Sequence, residues 1–192
     1  TVGTYQASTG QASCDDADAG HYVDTTAQSS QTECDFGTYQ ASTGQASCDD
    51  ADAGYFVDVE GSSTQTECAP GSFQEFTGHD SCDLSNSGHY VPSSGSTTES
   101  PCPATTYNTE FGSSSSTDCI DSDSGHFAPE EGLANQIPCP PGEYQGLTAQ
   151  LSCVLSDPGH YVPSYASVTQ IPCSPGTFQG DSGQVACRIS SP

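Results

Sequence analysis

Apolar positions are few along this chain, and they keep a fixed beat. An aromatic stands at Tyr5, Tyr22, Tyr39, Phe56, Phe73, Tyr90, Tyr107, Phe127, Tyr144, Tyr161 and Phe178. The step is 17 residues, lengthened once by three between Tyr107 and Phe127. Two residues before each aromatic is a glycine, except that Thr105 fills one of these slots. Polar, turn-forming stretches such as Ser-Thr-Gly and Ser-Ser-Gly follow each aromatic. An aromatic pair of strand formers followed by turn chemistry predicts a short β-hairpin. No stretch carries sustained helical periodicity, so almost no helix is expected.

The hairpin unit is copied. Gly3 to Gly20 recurs without change as Gly37 to Gly54, a step of 34 residues. Self-similarity at a fixed period marks a repeat array, in which units too small to bury a face alone cover one another. The halves alternate in type. Odd halves begin Gly-Thr-Tyr-Gln or similar, and even halves Gly-His-Tyr-Val or similar. The expected fold is therefore small, disulfide-rich and mostly β or irregular. It is an elongated tandem array of 17-residue hairpin-like halves in 34-residue repeats. The repeats run 1–34, 35–68, 69–102, 103–139 with the insertion, 140–173, and a terminal half at 174–192. The eleven aromatics are expected to stack in a row, each covering the next.

Composition alone would give a different answer. Only 32% of residues are hydrophobic, with no Trp or Met. Such a chain cannot bury enough apolar area to offset the entropy of ordering it. The cysteines reverse that expectation. They stand at 14, 34, 48, 68, 82, 102, 119, 139, 153, 173 and 187, in steps of 20 and 14 with one 17. There is no C-x-x-C pair of the kind used for zinc or redox work. Isolated cysteines at even spacing predict a disulfide ladder, and hence an oxidising, extracellular compartment. Spacing leaves two nearest-neighbour pairings open. One closes the odd halves and leaves Cys14 over; the other closes the even halves and leaves Cys187 over.

Two segments, Cys68-Ala-Pro-Gly-Ser-Phe-Gln ending at Cys82 and Cys139-Pro-Pro-Gly-Glu-Tyr-Gln ending at Cys153, resemble the cysteine-rich repeats of ephrin-receptor ectodomains and the related tumour-necrosis-factor-receptor modules. The likeness runs over the whole chain, although the second cysteine of the usual C-x-x-C between halves is missing. The array is also similar to acidic, Ser/Thr-rich surface proteins of aquatic microbes and to algal flagellar-hair (mastigoneme-type) proteins. The resemblance implies an extracellular module array. It also implies the odd-half pairing: Cys34–Cys48, Cys68–Cys82, Cys102–Cys119, Cys139–Cys153 and Cys173–Cys187. Cys14 is then unpaired or available for a bond between subunits.

Charge narrows the partners. There are 25 acidic residues against one basic one, a net charge of −24. A surface of one sign repels nucleic acid and anionic membrane. No apolar run is long enough to insert in a bilayer. The Asp-Ala-Asp-Ala-Gly runs, with Asp16, Asp18, Asp50 and Asp52, and the similar Asp121 and Asp123, look like the start of calcium loops. They lack the closing bidentate carboxylate that such loops use. The reading taken is solvated turns, with weak divalent-cation binding between repeats as the functional alternative and no other cofactor. His21, His89, His126 and His160 occur about once per repeat and read as a surface ladder, with no metal site. Gly180-Asp181-Ser182-Gly183 reads as a turn, not a nucleophile elbow. No recurring constellation suggests an enzyme. The serine- and threonine-rich turns at Ser29-Ser30, Ser62 to Thr64, Ser93-Ser94 and Ser113 to Thr117 are candidates for O-glycans.

The sequence thus points to a secreted structural protein of the cell surface that forms or stiffens a filament or appendage. Its expected partners are further copies of itself, joined head to tail, or other surface structural proteins. The alternative is the stalk or ligand-binding ectodomain of a receptor or adhesin.

Overall fold

The computed structural model describes residues 1–189; the last three residues of the terminal half-repeat lie outside them. Among the described residues, twenty-two strands of two residues each pair antiparallel within eleven hairpins. The first joins Thr4–Tyr5 to Asp15–Asp16, and the last joins Thr177–Phe178 to Arg188–Ile189. The register is the same in ten hairpins, and in the seventh the insertion lengthens it, so that Thr106 opposes Asp121 fifteen residues on. The residue after each glycine opposes the one twelve further on, as Thr4 opposes Asp16 and His21 opposes Glu33. A single 3-10 turn, Ser116–Asp118, absorbs the three-residue insertion. Ser115 caps it, accepting from the Thr117 amide, while the Asp118 carboxylate accepts from the Ser115 amide.

Each hairpin opens on a tight turn. The residue after the glycine donates back three residues, as His21 N–H does to the Asp18 carbonyl at 3.0 Å and Thr38 N–H to Asp35 at 3.0 Å. The glycine is the third residue of that turn, with φ of +82° at Gly20 and +77° at Gly37. Positive φ at this position is what selects glycine.

The contacts divide the chain into two units. One comprises Thr1–Ser85, Val91–Glu99 and Gly112–Ser114; the other comprises Asn86–Tyr90, Ser100–Phe111 and the chain from Ser115 onward. Within each unit, successive hairpins are tied by the same three backbone bonds. In the first, the Gly37 amide donates to the Val57 carbonyl at 2.8 Å, the Gln40 amide to Ser62 at 3.1 Å, and the Gly61 amide to Cys34 at 2.8 Å. In the second, Gly142 donates to Val162 at 2.8 Å, Gln145 to Ser167 at 3.0 Å, and Ala166 to Cys139 at 2.9 Å. The fold is thus a nearly helix-free, disulfide-rich tandem array. Its elements are held by backbone pairing between neighbours more than by a thick core.

The core differs from the expected row of aromatics. Ten of the eleven rings are only half-buried, and Phe178 is exposed. The interior belongs to two other slots. Three residues before the glycine stand Ala17, Cys34, Ala51, Cys68, Ser85, Cys102, Ser122, Cys139 and Ser156, all fully buried. Three residues after it stand Val23, Gln40, Val57, Gln74, Val91, Asn108, Ala128, Gln145, Val162 and Gln179, all buried. The buried slots and the glycine between them lie three residues apart, not two as strict strand alternation would give. The amides of the glycine and of the residue three past it both bond the neighbouring hairpin, as Gly37 does to Val57 and Gln40 to Ser62, and the aromatic between them is left half-buried on the flank. The even halves put Val or Ala in that slot, and the odd halves put an amide there.

The buried amides are satisfied locally, as burial of polar groups requires. Gln40 donates to the Ser47 carbonyl at 3.0 Å and accepts from the Ser42 amide at 3.0 Å. Gln74 and Gln145 repeat both bonds. Each amide thereby props the loop that the disulfide closes.

Thr105 is the exception that carries strain. It holds φ of +79° with a β-branched side chain, a conformation that costs a non-glycine residue about 1–3 kcal/mol. Thr105→Gly should therefore stabilise the protein by about 1 kcal/mol, once the added freedom of the unfolded chain is subtracted. Denaturant titration of the two chains checks this. An unchanged or lowered midpoint would show that the threonine side chain makes compensating contacts.

Candidate structural and interaction surface

Five disulfides close the odd halves: Cys34–Cys48, Cys68–Cys82, Cys102–Cys119, Cys139–Cys153 and Cys173–Cys187. Their Cα–Cα distances are 5.6–5.8 Å, within the ordinary range. Cys14 is free and exposed. In each bridge of the middle repeats the leading cysteine is fully buried, as at Cys34, Cys68, Cys102 and Cys139.

The even halves close without sulfur. Where an odd half places its second cysteine, an even half places Gln31, Gln65, Gln136 or Gln170. Each glutamine clasps an aspartate thirteen residues earlier. The Gln31 carbonyl oxygen accepts from the Asp18 amide at 2.7 Å, and its NH2 donates to the Asp18 carboxylate at 2.7 Å. Gln65 holds Asp52, Gln136 holds Asp123 and Gln170 holds Asp157 in the same way. Sequence reasoning missed this clasp. The signal was there, in an Asp and a Gln kept thirteen residues apart in four of the five even halves.

The clasp also accounts for half of the calcium candidates. Asp18, Asp52 and Asp123 each spend a carboxylate oxygen on the glutamine that closes their own hairpin. Asp16, Asp50 and Asp121 lie on exposed second strands. Asp16 and Asp50 sit beside Gly44 and Gly78 of later hairpins. Among the described residues, no three of His, Cys, Asp or Glu come together as a metal ion would need. An exposed clasp of two hydrogen bonds, one to a charged group, is a modest stabiliser. Gln65→Ala should cost about 1 kcal/mol, far less than opening a disulfide loop. Thermal melts compare it with Cys68→Ala/Cys82→Ala, and an equal loss in both would sink this ranking.

Four histidines stand half-buried on the first strands of their hairpins. His21, His89, His126 and His160 oppose Glu33, Pro101, Pro138 and Pro172 across their hairpins. His21 Nε2 lies 3.8 Å from the Glu33 carboxylate. In the one even half without a histidine, Tyr55 donates to Glu67 at 3.1 Å. That bond and the adjacent carboxylate charge raise the Tyr55 phenol above the usual tyrosine range.

Shallow grooves recur beside the aromatics of even halves. Tyr22, Asp35 and Cys48 line one, and Tyr161, Ser174 and Cys187 another. A third, of 590 Å³, sets the apolar Phe56 and Leu84 beside the carboxylates Asp58, Glu67 and Asp80. All three are open to solvent.

The outer strands change character along the chain. The residue opposite each aromatic is polar in the first six hairpins: Asp15, Thr32, Asp49, Thr66, Asp83 and Ser100. From there it becomes Ile120, Ile137, Val154 and Ile171, ending in Arg188. These aliphatic side chains are exposed. The exact copying of the early repeats hid this drift, because the shared framework dominates the sequence. Among the described residues, no helix is long and apolar enough to cross a membrane. No known protein-family model matches the chain, and no curated protein matches it.

Proposed function

We propose that this chain is an extracellular structural protein, one that forms or stiffens a filament or cell-surface appendage. The observation that carries the reading is the reuse of one set of backbone bonds between neighbouring hairpins through each unit. A contact that repeats without variation serves length and stiffness, since a site for one specific ligand needs a place that differs from the rest. The disulfides fit an oxidising compartment outside the cell. The net charge of −24 keeps neighbouring assemblies apart at low salt. Exposed turns such as Ser29-Ser30 and Ser93-Ser94 would carry O-glycans.

A second reading has its own support. The run Ile120, Ile137, Val154 and Ile171 gives the later hairpins exposed aliphatic side chains at a strand position where the early ones are polar. Such a surface suits the stalk or ectodomain of a receptor or adhesin that engages a protein partner. Immunogold labelling of intact source cells separates the two. Labels spaced along fibres or appendages support the structural role. Labels scattered singly over the plasma membrane would replace it with the receptor reading.

A further inference from the structure

One of the three grooves is unlike the other two. It opens beside Phe56, holds 590 Å³, and is lined by residues of the fourth and fifth hairpins. Phe56, Ala69 and Leu84 supply an apolar wall, and Asp58, Glu67 and Asp80 bring three carboxylates to it.

The 34-residue repeat shows what this groove is made from. The preceding repeat has the same groove beside Tyr22. Its equivalent positions hold Tyr22, Asp35 and Asp50 in place of Phe56, Ala69 and Leu84. Three polar side chains have thus given way to apolar ones. The acids are kept and one is added: Asp24 and Glu33 return as Asp58 and Glu67, and Ala46 is replaced by Asp80. The groove beside Tyr161 departs the other way. Pro163, Pro172 and Val185 stand where the three acids would be. Of the three, only the groove at Phe56 joins an apolar wall to negative charge.

Both parts are accessible. Leu84 is 60% exposed and Phe56 is half-buried. Tyr55 holds Glu67 in place, its hydroxyl donating to the carboxylate at 3.1 Å. Among the described residues, none of the three carboxylates is ion-paired. An apolar wall beside such charges suits a cation with an apolar body. Lys and Arg lay their stems on apolar surface while the head stays polar, and an aromatic face attracts the cation. An open groove buries too little of a small molecule to hold it tightly, whereas a chain segment can lay successive side chains along it. A second copy is a poor occupant, since this chain carries one base against 25 acids.

We propose that this groove docks a basic, apolar segment of a partner protein. An Arg or Lys head sits at Asp58, Glu67 and Asp80, and a neighbouring apolar side chain covers Phe56 and Leu84. The site goes beyond the structural role proposed above and does not depend on it.

The probe is a short labelled peptide alternating Arg and Leu, titrated with the full chain by fluorescence anisotropy at physiological salt. It should bind at least about tenfold more tightly than the same peptide with Ser for Leu, or with Gln for Arg. Leu84→Asp restores the residue that the preceding repeat carries on the same strand as Asp50. The variant should therefore keep the parent's circular dichroism spectrum. It should bind the Arg-Leu peptide about tenfold more weakly, although it adds a negative charge. Asp80→Ala, again the residue of the preceding repeat, should weaken binding about threefold, and Asp15→Ala on the first hairpin should leave it unchanged. Diffuse attraction to an acidic surface predicts otherwise: Leu84→Asp tightens binding, and the two alanine variants lose equally. That pattern, or a parent chain that does not bind the peptide, overturns the site. Self-association in sedimentation that Leu84→Asp abolishes would assign the groove to a second copy and overturn it as well. Immunogold labelling along fibres is compatible with any of these results, so the two ideas fall separately.

Discussion

Full reduction should unfold this protein. Each of the five bridges closes a loop of about fifteen residues, which stabilises a fold by roughly 3 kcal/mol through the unfolded chain. A domain's whole net stability is about 5–15 kcal/mol. What remains without sulfur is slight. The buried aliphatic side chains are Val23, Val57, Val91 and Val162, with Ala17, Ala51 and Ala128. The buried amides Gln40, Gln74 and Gln145 contribute satisfied hydrogen bonds and little transfer energy. The glutamine clasps of the even halves are exposed. Reduction and alkylation should therefore abolish protease resistance and the native circular dichroism spectrum in a single step. A reduced chain that keeps both would show that the backbone ladder between hairpins is self-sufficient, and the disulfides an addition to it.

That dependence explains how much was legible in the sequence. The hairpins, their 17-residue period and the near absence of helix could be read there, because turn glycines and strand-forming pairs are local signals. What occupies the interior could not. Tyr39 is the largest apolar residue of its half, Phe73 shares that rank with Phe76, and size alone places such rings inside. Yet the interior lies where the extended backbone turns its side chains toward the neighbouring hairpin, at Gln40 and Gln74. An amide in a core slot gives no sign of burial until its partners, the Ser47 carbonyl and the Ser42 amide, come into view. The clasp between Asp52 and Gln65 was hidden for a related reason. Its aspartate sits in a run that looks like a cation loop, and its glutamine lies thirteen residues away. The aliphatic drift from Asp15 to Ile171 was visible letter by letter, but only the shared register shows that these positions are equivalent.

The glycines are the second place where a small change should have a large effect. Gly37 and Gly10 hold nearly the same backbone conformation, φ of +77° and +79°. They differ in surroundings. A Cβ on Gly37 would overlap the Gly78 carbonyl, whereas one on Gly10 meets nothing within 4 Å. Gly10→Ala in dilute, monomeric protein therefore reports the strain of left-handed φ alone, about 1 kcal/mol. Gly37→Ala adds an overlap between two backbones, and neither is a flexible side chain that could move aside. Relieving it shifts the Gly78 loop, whose amide is bonded to the Ala51 carbonyl at 2.8 Å. Losing that bond and the close packing beside it should bring the total to about 3 kcal/mol or more. Asparagine in place of alanine removes most of the φ penalty at either site, so Gly37→Asn should remain strongly destabilising while Gly10→Asn is nearly neutral. Chemical denaturation of the four variants measures both differences. Equal losses at the two positions would mean that glycine is kept for its turn alone, and that neighbouring hairpins are free to settle at another spacing.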